Sequence, residues 1–442
     1  MSMQPTLPLA RTGLPIRRLS LQRLDDPRAP VFVGALDRVT LGSAEGNDLR
    51  LEDPTVSRFH AVLHRRGDRI VVRDLGSTNG TVIGPVRLQD GEGEIASETT
   101  IRLGNVALIV RDGDVVMVEH GPGELGGLVG RSPAMRQLLA QVQKTSRSDV
   151  PVLVLGESGT GKELVGRALH EGSPRASAPF VTVDCGALSS TLFSSELFGH
   201  EKGAFTGAHR QHPGAFERAS GGTLFLDEVG ELSPEQQSAL LGALERKTIR
   251  RLGGTRDLPV NVRLISATSR DLLKEVNQGR FRLDLFYRLA VVRLDMPPLR
   301  EHPEDIPLLI QHFLQDEGAM ARMESLFDRD ALTRLKNHAW PGNARELRNY
   351  VLGALALGQV PEFVGAGPGA LAGPPADTVS FVEDGHVVPY KDARRQIVDT
   401  FERRYLRDLL EATRGNIRES ARQAQMNRSY LIELLSKHGL PE

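Results

Sequence analysis

The run Gly156-Glu157-Ser158-Gly159-Thr160-Gly161-Lys162 follows the apolar stretch Val152-Leu153-Val154-Leu155 and opens a helix ending near His170. A glycine-rich turn from a buried strand into a helix aims backbone N–H groups and the positive end of the helix dipole at one spot, which makes a cradle for phosphate. Residues Gly156 to Glu163 would line a nucleotide there, with Lys162 on the β and γ phosphates. The generic pattern wants Ser or Thr after the lysine to hold magnesium; Glu163 stands in that place, so the metal must lean on Asp227 and water. A glycine loop can join strand to helix without any ligand, but full spacing with the right flanks on both sides favours the phosphate reading.

A second apolar run, Leu224-Phe225-Leu226, ends in Asp227-Glu228. Two carboxylates at the end of a buried strand can divide the work of hydrolysis: Asp227 on magnesium, Glu228 polarising the attacking water. With Phe180-Val181-Thr182-Val183 and Val262-Arg263-Leu264-Ile265, these runs predict buried parallel strands alternating with helices between Leu128 and about Val360, an α/β P-loop fold.

The chain has 442 residues, room for about three domains. Gly121-Pro122-Gly123 with Gly126-Gly127 reads as a hinge, and residues 361–393, rich in Gly, Ala and Pro, read as a linker. Residues 16–119 carry short β-branched runs such as Arg69-Ile70-Val71-Val72-Arg73 broken by turns, which predict a β-sandwich; residues 394–442 carry helix-period apolar positions and predict an all-α block. Lys plus Arg (55) nearly cancels Asp plus Glu (56), so any DNA contact must be local. The single Cys185 excludes an internal disulfide, and no run reaches the ~18 apolar residues of a membrane span, so a soluble cytoplasmic protein with no membrane partner is expected.

Between the phosphate loop and the acidic strand end lies Gly203-Ala204-Phe205-Thr206-Gly207-Ala208. Glycines at both ends let such a loop fold tightly and change shape, and Phe205 is expected to offer exposed apolar area that grips another protein. With Ser195-Glu196-Leu197-Phe198-Gly199-His200-Glu201-Lys202 before it, the central block resembles the AAA+ domain of sigma-54-dependent bacterial transcription activators, the enhancer-binding proteins. The resemblance implies that Gly203 to Ala208 contacts sigma-54. It implies that Arg282 and Arg288 are arginine fingers reaching a neighbour's ATP, though each could be an ordinary helix-surface arginine. It also implies that Arg345, after Trp340-Pro341-Gly342-Asn343, senses the γ-phosphate, and that Pro297-Pro298-Leu299-Arg300-Glu301 connects to the helical lid. Two departures stand out. Asp184 occupies the place of an Asn that holds the water-polarising glutamate, so that two carboxylates adjoin there, and Ser269 replaces a common Asn beside Thr268 on the sensor strand.

In the first block, Ser57-Arg58-Phe59-His60 and Asp74-Leu75-Gly76-Ser77-Thr78-Asn79-Gly80 resemble a forkhead-associated (FHA) domain. That implies phosphothreonine-peptide binding by Ser57, Arg58, Thr78 and Asn79, with His60 buttressing the loop from inside. The usual arginine after the first glycine is Ser43 here, and a degenerate module that merely docks a neighbour is the alternative. The end of the chain is similar to a Fis-type helix-turn-helix, with Arg428, Ser429 and Tyr430 at base edges and Arg422 and Lys437 on phosphates; such a hairpin could also pack a dimer.

Together these readings imply a transcription activator that binds an upstream DNA enhancer site, assembles as a homo-oligomer from dimer to hexameric ring, hydrolyses ATP with Mg2+ between subunits, and remodels sigma-54 RNA polymerase holoenzyme. A phosphothreonine protein, and hence an upstream Ser/Thr kinase, would supply the input. A repressor using the ATPase as scaffold would be expected to lack the 203–208 loop, and a remodeller of another target would not need the C-terminal hairpin.

Overall fold

The computed structural model describes residues 13–361 except 27, 36, 67–68, 120 and 187–189, together with isolated positions between 382 and 437. Contacts gather the chain into two compact units, Met1–Glu362 and Phe363–Glu442.

In the first unit, the N-terminal block is a sandwich of two sheets. One is built on the antiparallel pairing of Gly13–Arg23 with Val106–Glu119 and continues through Thr99–Leu103 and Thr81–Ile83. The other places Arg38–Gly42 beside Ala61–Arg66, then Arg69–Asp74, then Glu92–Ile95. Leu19, Leu41, Leu63, Ile70, Val72 and Ile101 fill the space between them. The second sheet is buried on its outer face as well, where Val62 joins the hydrophobic core of the ATPase block. That is why Ile70, Val71 and Val72 are buried in succession instead of alternating, as they would on a sheet with one wet face. The sandwich therefore keeps its own core between the sheets and also lends Phe59, Val62 and Leu75 to the ATPase core, where the sequence suggested separate modules.

The ATPase block is built on five parallel strands: β1 (Val152–Leu155), β2 (Phe180–Asp184), β3 (Thr223–Asp227), β4 (Arg263–Thr268) and β5 (Val292–Asp295). Their order is β2-β3-β4-β1-β5. The fifth strand was not foreseen, because Arg293 and Asp295 break its apolar run. Helix α1 (Pro133–Ser146) starts with Ser132 as N-cap and proline in the first turn; α2 (Lys162–Glu171) starts at the phosphate loop. Arg263 sits in the middle of the sheet at 0% exposure. Its guanidinium donates to the carbonyls of Ser146 and Thr145 at the end of α1 and of Leu169 near the end of α2, at 2.8 to 3.0 Å. A cation placed on the negative ends of two helices satisfies carbonyls that the helices leave open.

The stretch read as a hinge is strapped down. Gly121 donates to Arg136 O at 2.9 Å, a Cβ on Gly121 would stand 2.5 Å from Ala140 N, and Glu124–Leu125 pairs with Leu128–Val129. Further helices are α3 (Pro234–Arg246), the short α4 (Leu272–Asn277) and α5 (Leu283–Leu289), and α6 (Asn343–Leu357) of the lid. Trp340, fully buried with its indole N–H on Leu335 O at 2.8 Å, anchors the lid turn before α6.

In the second unit, Leu406, Ala421, Leu431 and Leu435 form a small core with Ile417 and Met426 against it, and the Thr413 and Ser420 hydroxyls meet at 2.6 Å. Among the described residues of the stretch read as a linker, Val382–Glu383 pairs antiparallel with His386–Val387. Arg422, Arg428, Ser429 and Tyr430 lie outside the described residues; Lys437 is helical and exposed. Among the described residues no helix is long and apolar enough to cross a membrane.

Candidate functional site

The phosphate loop leaves β1 and enters α2 through two left-handed glycines, Gly159 (φ 78°) and Gly161 (φ 104°). Lys162 is 7% exposed. Its ammonium donates to Gly156 O at 2.9 Å and Glu157 O at 3.2 Å and stands 3.3 Å from a Glu228 oxygen. Beside the loop is a pocket of about 460 Å3 lined by Leu128, Val129, Met135, Leu164, Leu309 and Phe313, together with Thr160 and Gly161. An apolar slot next to a phosphate cradle suits a flat base. Glu163 is exposed and pairs with Arg167 at 2.8 Å one turn on, so its carboxylate is turned to the helix surface.

Asp184 and Asp227 end neighbouring strands in register, and Glu228 follows directly. Burial, then the adjoining Glu228 charge, pushes the Asp227 carboxyl above its usual range. A half-buried carboxylate crowded by negative charge is a place for a cation. Among the described residues no three His, Cys, Asp or Glu form a cage for a metal; magnesium bound with a nucleotide needs only one or two carboxylates beside the phosphates, so Asp227 fits it. Glu228, at φ 51°, is held from the opposite side. Its carboxylate accepts from the Ser269 N–H and hydroxyl, both at 2.9 Å, and from the Thr268 hydroxyl at 3.3 Å. Burial raises this carboxyl, but the Ser269 bonds and the Lys162 charge outweigh it and hold the group below its ordinary range. Ser269 thus reaches the glutamate despite being shorter than Asn, while Asp184 accepts from Gly186 N–H at 2.8 Å.

Two further residues organise the pocket, and sequence reasoning gave them no such role. Asn343, fully buried, donates to Glu157 and to Ser158 O and accepts from Leu299 N–H at 2.8 Å. Arg300 clamps Glu157 with two bonds, at 2.8 and 2.5 Å. Arg345 reaches Ser158 Oγ at 3.2 Å, and its N–H donates to Gly159 O. The lid turn is thus fastened to the phosphate loop. The only local signal was the Pro341-Gly342-Asn343 turn, since Asn tolerates the left-handed backbone (φ 53°) found there.

The 203–208 loop tips a hairpin whose base pairs Gly199–His200 with His212–Pro213. Gly203 and Gly207 are left-handed, and Gly203 N–H donates to Ala208 O at 2.8 Å. Contrary to expectation Phe205 is half-buried: its ring packs edge-on against His200 with centroids 4.9 Å apart, leaving Thr206 exposed. The tight turn folds the ring back onto its own hairpin. A second hairpin, Thr248–Ile249 with Leu258–Pro259, braces the first. Leu252 bonds Gly199 and Glu201, and Arg251, unforeseen, ties Glu201 to Glu217. Arg282 stands just before α5, bonding Asp284 and Ser238 Oγ, and Arg288 is exposed on that helix.

In the sandwich, Ser57 Oγ accepts from Thr78 N–H at 3.0 Å, joining the two loops, and Asn79 donates to Thr55 O at 2.8 Å. Arg58, Thr78 and Asn79 are exposed and Ser57 half-buried, while Ser43 N–H is bonded to Ser57 O. His60 lies beneath at 0% exposure: Nδ1 accepts from Ser57 N–H at 3.1 Å and Nε2 faces Gly80 O at 3.2 Å. Burial lowers its pKa against the opposing pull of Gly80 and Asp74, so the ring is neutral and donates through Nε2.

The FHA domain family matches residues 39–104, the Sigma-54 interaction domain residues 128–295 and the AAA+ ATPase lid domain residues 300–363. The transcriptional regulatory protein GlrR of Escherichia coli is 46% identical over 315 residues, covering 71% of this chain and 68% of that protein. ZraR of Klebsiella oxytoca is 46% identical over 323 residues, covering 72% and 71%. Among solved structures, NtrX from Brucella abortus in complex with ATP is 34% identical with a TM-score of 0.52, covering 72% of this chain and 71% of that one. The chain belongs to the sigma-54-dependent transcriptional regulators. It carries an FHA domain ahead of an AAA+ domain with its lid, and it is an ATPase.

Proposed function

We propose that this regulator couples ATP hydrolysis in a ring of subunits to opening of the promoter by sigma-54 RNA polymerase, under control of a phosphothreonine-reading FHA domain and targeted to an upstream site by its C-terminal residues. One observation carries the coupling: the 203–208 loop is mounted between β2 and β3, whose ends bear Asp184 and Asp227-Glu228. A displacement at those carboxylates is passed through the short helices Ser190–Phe198 and Ala215–Arg218 to the base of the hairpin.

In this reading Lys162 and the Gly156–Gly161 amides bind the β and γ phosphates, and the slot beside Leu128 and Phe313 takes the base. Bound at Asp227, Mg2+ would neutralise phosphate charge. Glu228, once released from Ser269 and Thr268, orients the water and accepts its proton; Arg345 reports the γ-phosphate from the lid. Arg282 and Arg288 act on the adjacent subunit's nucleotide, which makes turnover depend on assembly. Phe205 swings off His200 as the loop rises, and with Thr206 it engages sigma-54.

Thr206→Ala in the full chain is expected to keep ATP hydrolysis within about twofold, since surface substitutions rarely cost more than ~0.5 kcal/mol, while open-complex formation with purified sigma-54 polymerase is lost. Unchanged promoter opening would end the assignment.

A further inference from the structure

The FHA block is plugged into the ATPase block rather than laid beside it. Phe59, on the loop that carries Ser57 and Arg58, is 1% exposed, and its ring meets Phe286 of α5 edge-on with centroids 5.5 Å apart. Phe59 belongs to the ATPase core, not to the core between the two sheets. Asn277, at the end of α4, closes the contact. Its Oδ1 accepts from Phe59 N–H at 3.2 Å, and its amide donates to Phe59 O and, at 3.1 Å, to Leu75 O. The Tyr287 hydroxyl donates to Glu45 O, and Lys274 pairs with Asp90 at 2.7 Å.

The loops that dock are the loops of the phosphopeptide cradle, and their side chains divide between two sides. On the first, Arg58 is exposed while Phe59 is buried; on the second, Thr78 and Asn79 are exposed while Leu75 is buried against the ATPase core. A dianion gripped by Ser57, Arg58 and Thr78 pulls on the same backbone segments that hold Phe59 and Leu75 in place. On the other side of the contact, α5 has 7 residues. Phe286 and Tyr287 serve the FHA block, while Arg282 and Arg288 stand exposed on either side of them. A neighbouring subunit whose nucleotide meets those arginines has to come up to α5, and the FHA block stands within contact of it: a Cβ on Gly46 would lie 3.0 Å from the Tyr287 ring.

The geometry points to α4–α5 as one surface with two exclusive partners: the chain's own FHA block, docked through Phe59, Asn277 and Tyr287, and the next subunit of the assembly. The docked block is a brake on assembly, and a phosphothreonine peptide on the outer side of the same loops releases it. This rests on the roles proposed above for Arg282, Arg288 and the cradle.

In the full chain, Asn277→Ala combined with Tyr287→Phe removes the polar part of the seat without touching a nucleotide or peptide contact. ATP hydrolysis per subunit, followed against protein concentration without peptide, should reach half its maximum at about tenfold lower concentration than in the unmodified chain, the weight of one or two hydrogen bonds. A phosphothreonine peptide should cause a similar shift in the unmodified chain and little more in the double variant. Lys274→Glu should shift the midpoint the same way by about threefold, and Lys274→Glu with Asp90→Lys should restore it. An unmoved or raised midpoint in the double variant, or a swap that restores nothing, overturns the brake. Peptide binding is followed in parallel by fluorescence anisotropy; its absence would remove the phosphothreonine reading, while the peptide-free series still decides the docking.

Discussion

The nucleotide pocket and the FHA loops, the two regions proposed to take a phosphoryl group, keep their charges in opposite ways. In the pocket the cation is withdrawn from solvent: Lys162 is 7% exposed and tied to two carbonyls and Glu228. In the sandwich the cation is Arg58, exposed on a loop, and the order lies underneath it, in His60 and in the Ser57–Thr78 bond. Chemistry on a phosphate gains from excluded water and fixed charges, because interactions strengthen as solvent leaves. Recognition of a passing peptide needs only a firm floor beneath adaptable groups. Each region rests on fully buried polar groups, among them the hubs Asn343 beneath the first and His60 beneath the second.

The largest test of this contrast removes the cations. Lys162→Ala should lower phosphate release by about 100- to 1000-fold, as expected for loss of a preorganised group facing developing charge. Arg58→Ala should weaken phosphothreonine-peptide binding only about tenfold. Equal losses would erase the distinction between a buried and an exposed cation.

Removing the hubs should act on order rather than on charge. His60→Ala leaves Ser57 N–H and Gly80 O without their buried partner, and Asn343→Ala takes the side-chain partner from Ser158 O and Leu299 N–H while placing alanine at a left-handed position. About 2 kcal/mol of local stability should be lost in each case. Hydrogen exchange should show the loss within residues 39–104 for the first and around the phosphate loop and lid for the second; exchange raised throughout the chain would show that the hubs are not local.

Acid gives the smallest effect. Burial, then the charges of Arg66 and Arg38, pushes half-buried His64 down to about 4, and burial also lowers His60. Both folded values lie below the ordinary 6.5, so the unfolded chain takes up protons first as pH falls. Stability of the FHA block is complete above about pH 6.5 and declines from there toward about 4. Burial lowers His170 in the ATPase block in the same direction, which gives that block one such histidine among the described residues against two in the sandwich. Exchange protection in residues 39–104 should therefore weaken ahead of that in residues 128–295 between pH 7 and about 5. Simultaneous weakening would show that the shared core, not the histidines, governs the acid response.

Contiguity decided what could be read from the chain. The phosphate loop, the strand ending in Asp227-Glu228 and the 203–208 loop are each a few residues long and state their own geometry. The partners of Glu228 could not be read that way, because Ser269 and Thr268 arrive on β4 some 40 positions later. Arg263 looked like an interruption in an apolar strand until the ends of α1 and α2 met it there. The exposed Phe205 that was expected is a half-buried one, because His200 comes within range only when the hairpin closes. Ile70-Val71-Val72 signalled a strand but not that both of its faces would be covered.

By itself, then, the sequence determined most local elements: four of the five strands of the ATPase sheet, the glycines that let the backbone turn left-handed, the lysine that follows the phosphate loop and the two acids at a strand end. These follow from short-range sterics and hydrogen bonding. Only the tertiary structure decided that Asn343 would lock the lid to the loop and that Phe59 would leave its own domain for the core of the next. Burial of a side chain is a property of the surfaces that close over it, and those surfaces come from distant parts of the chain.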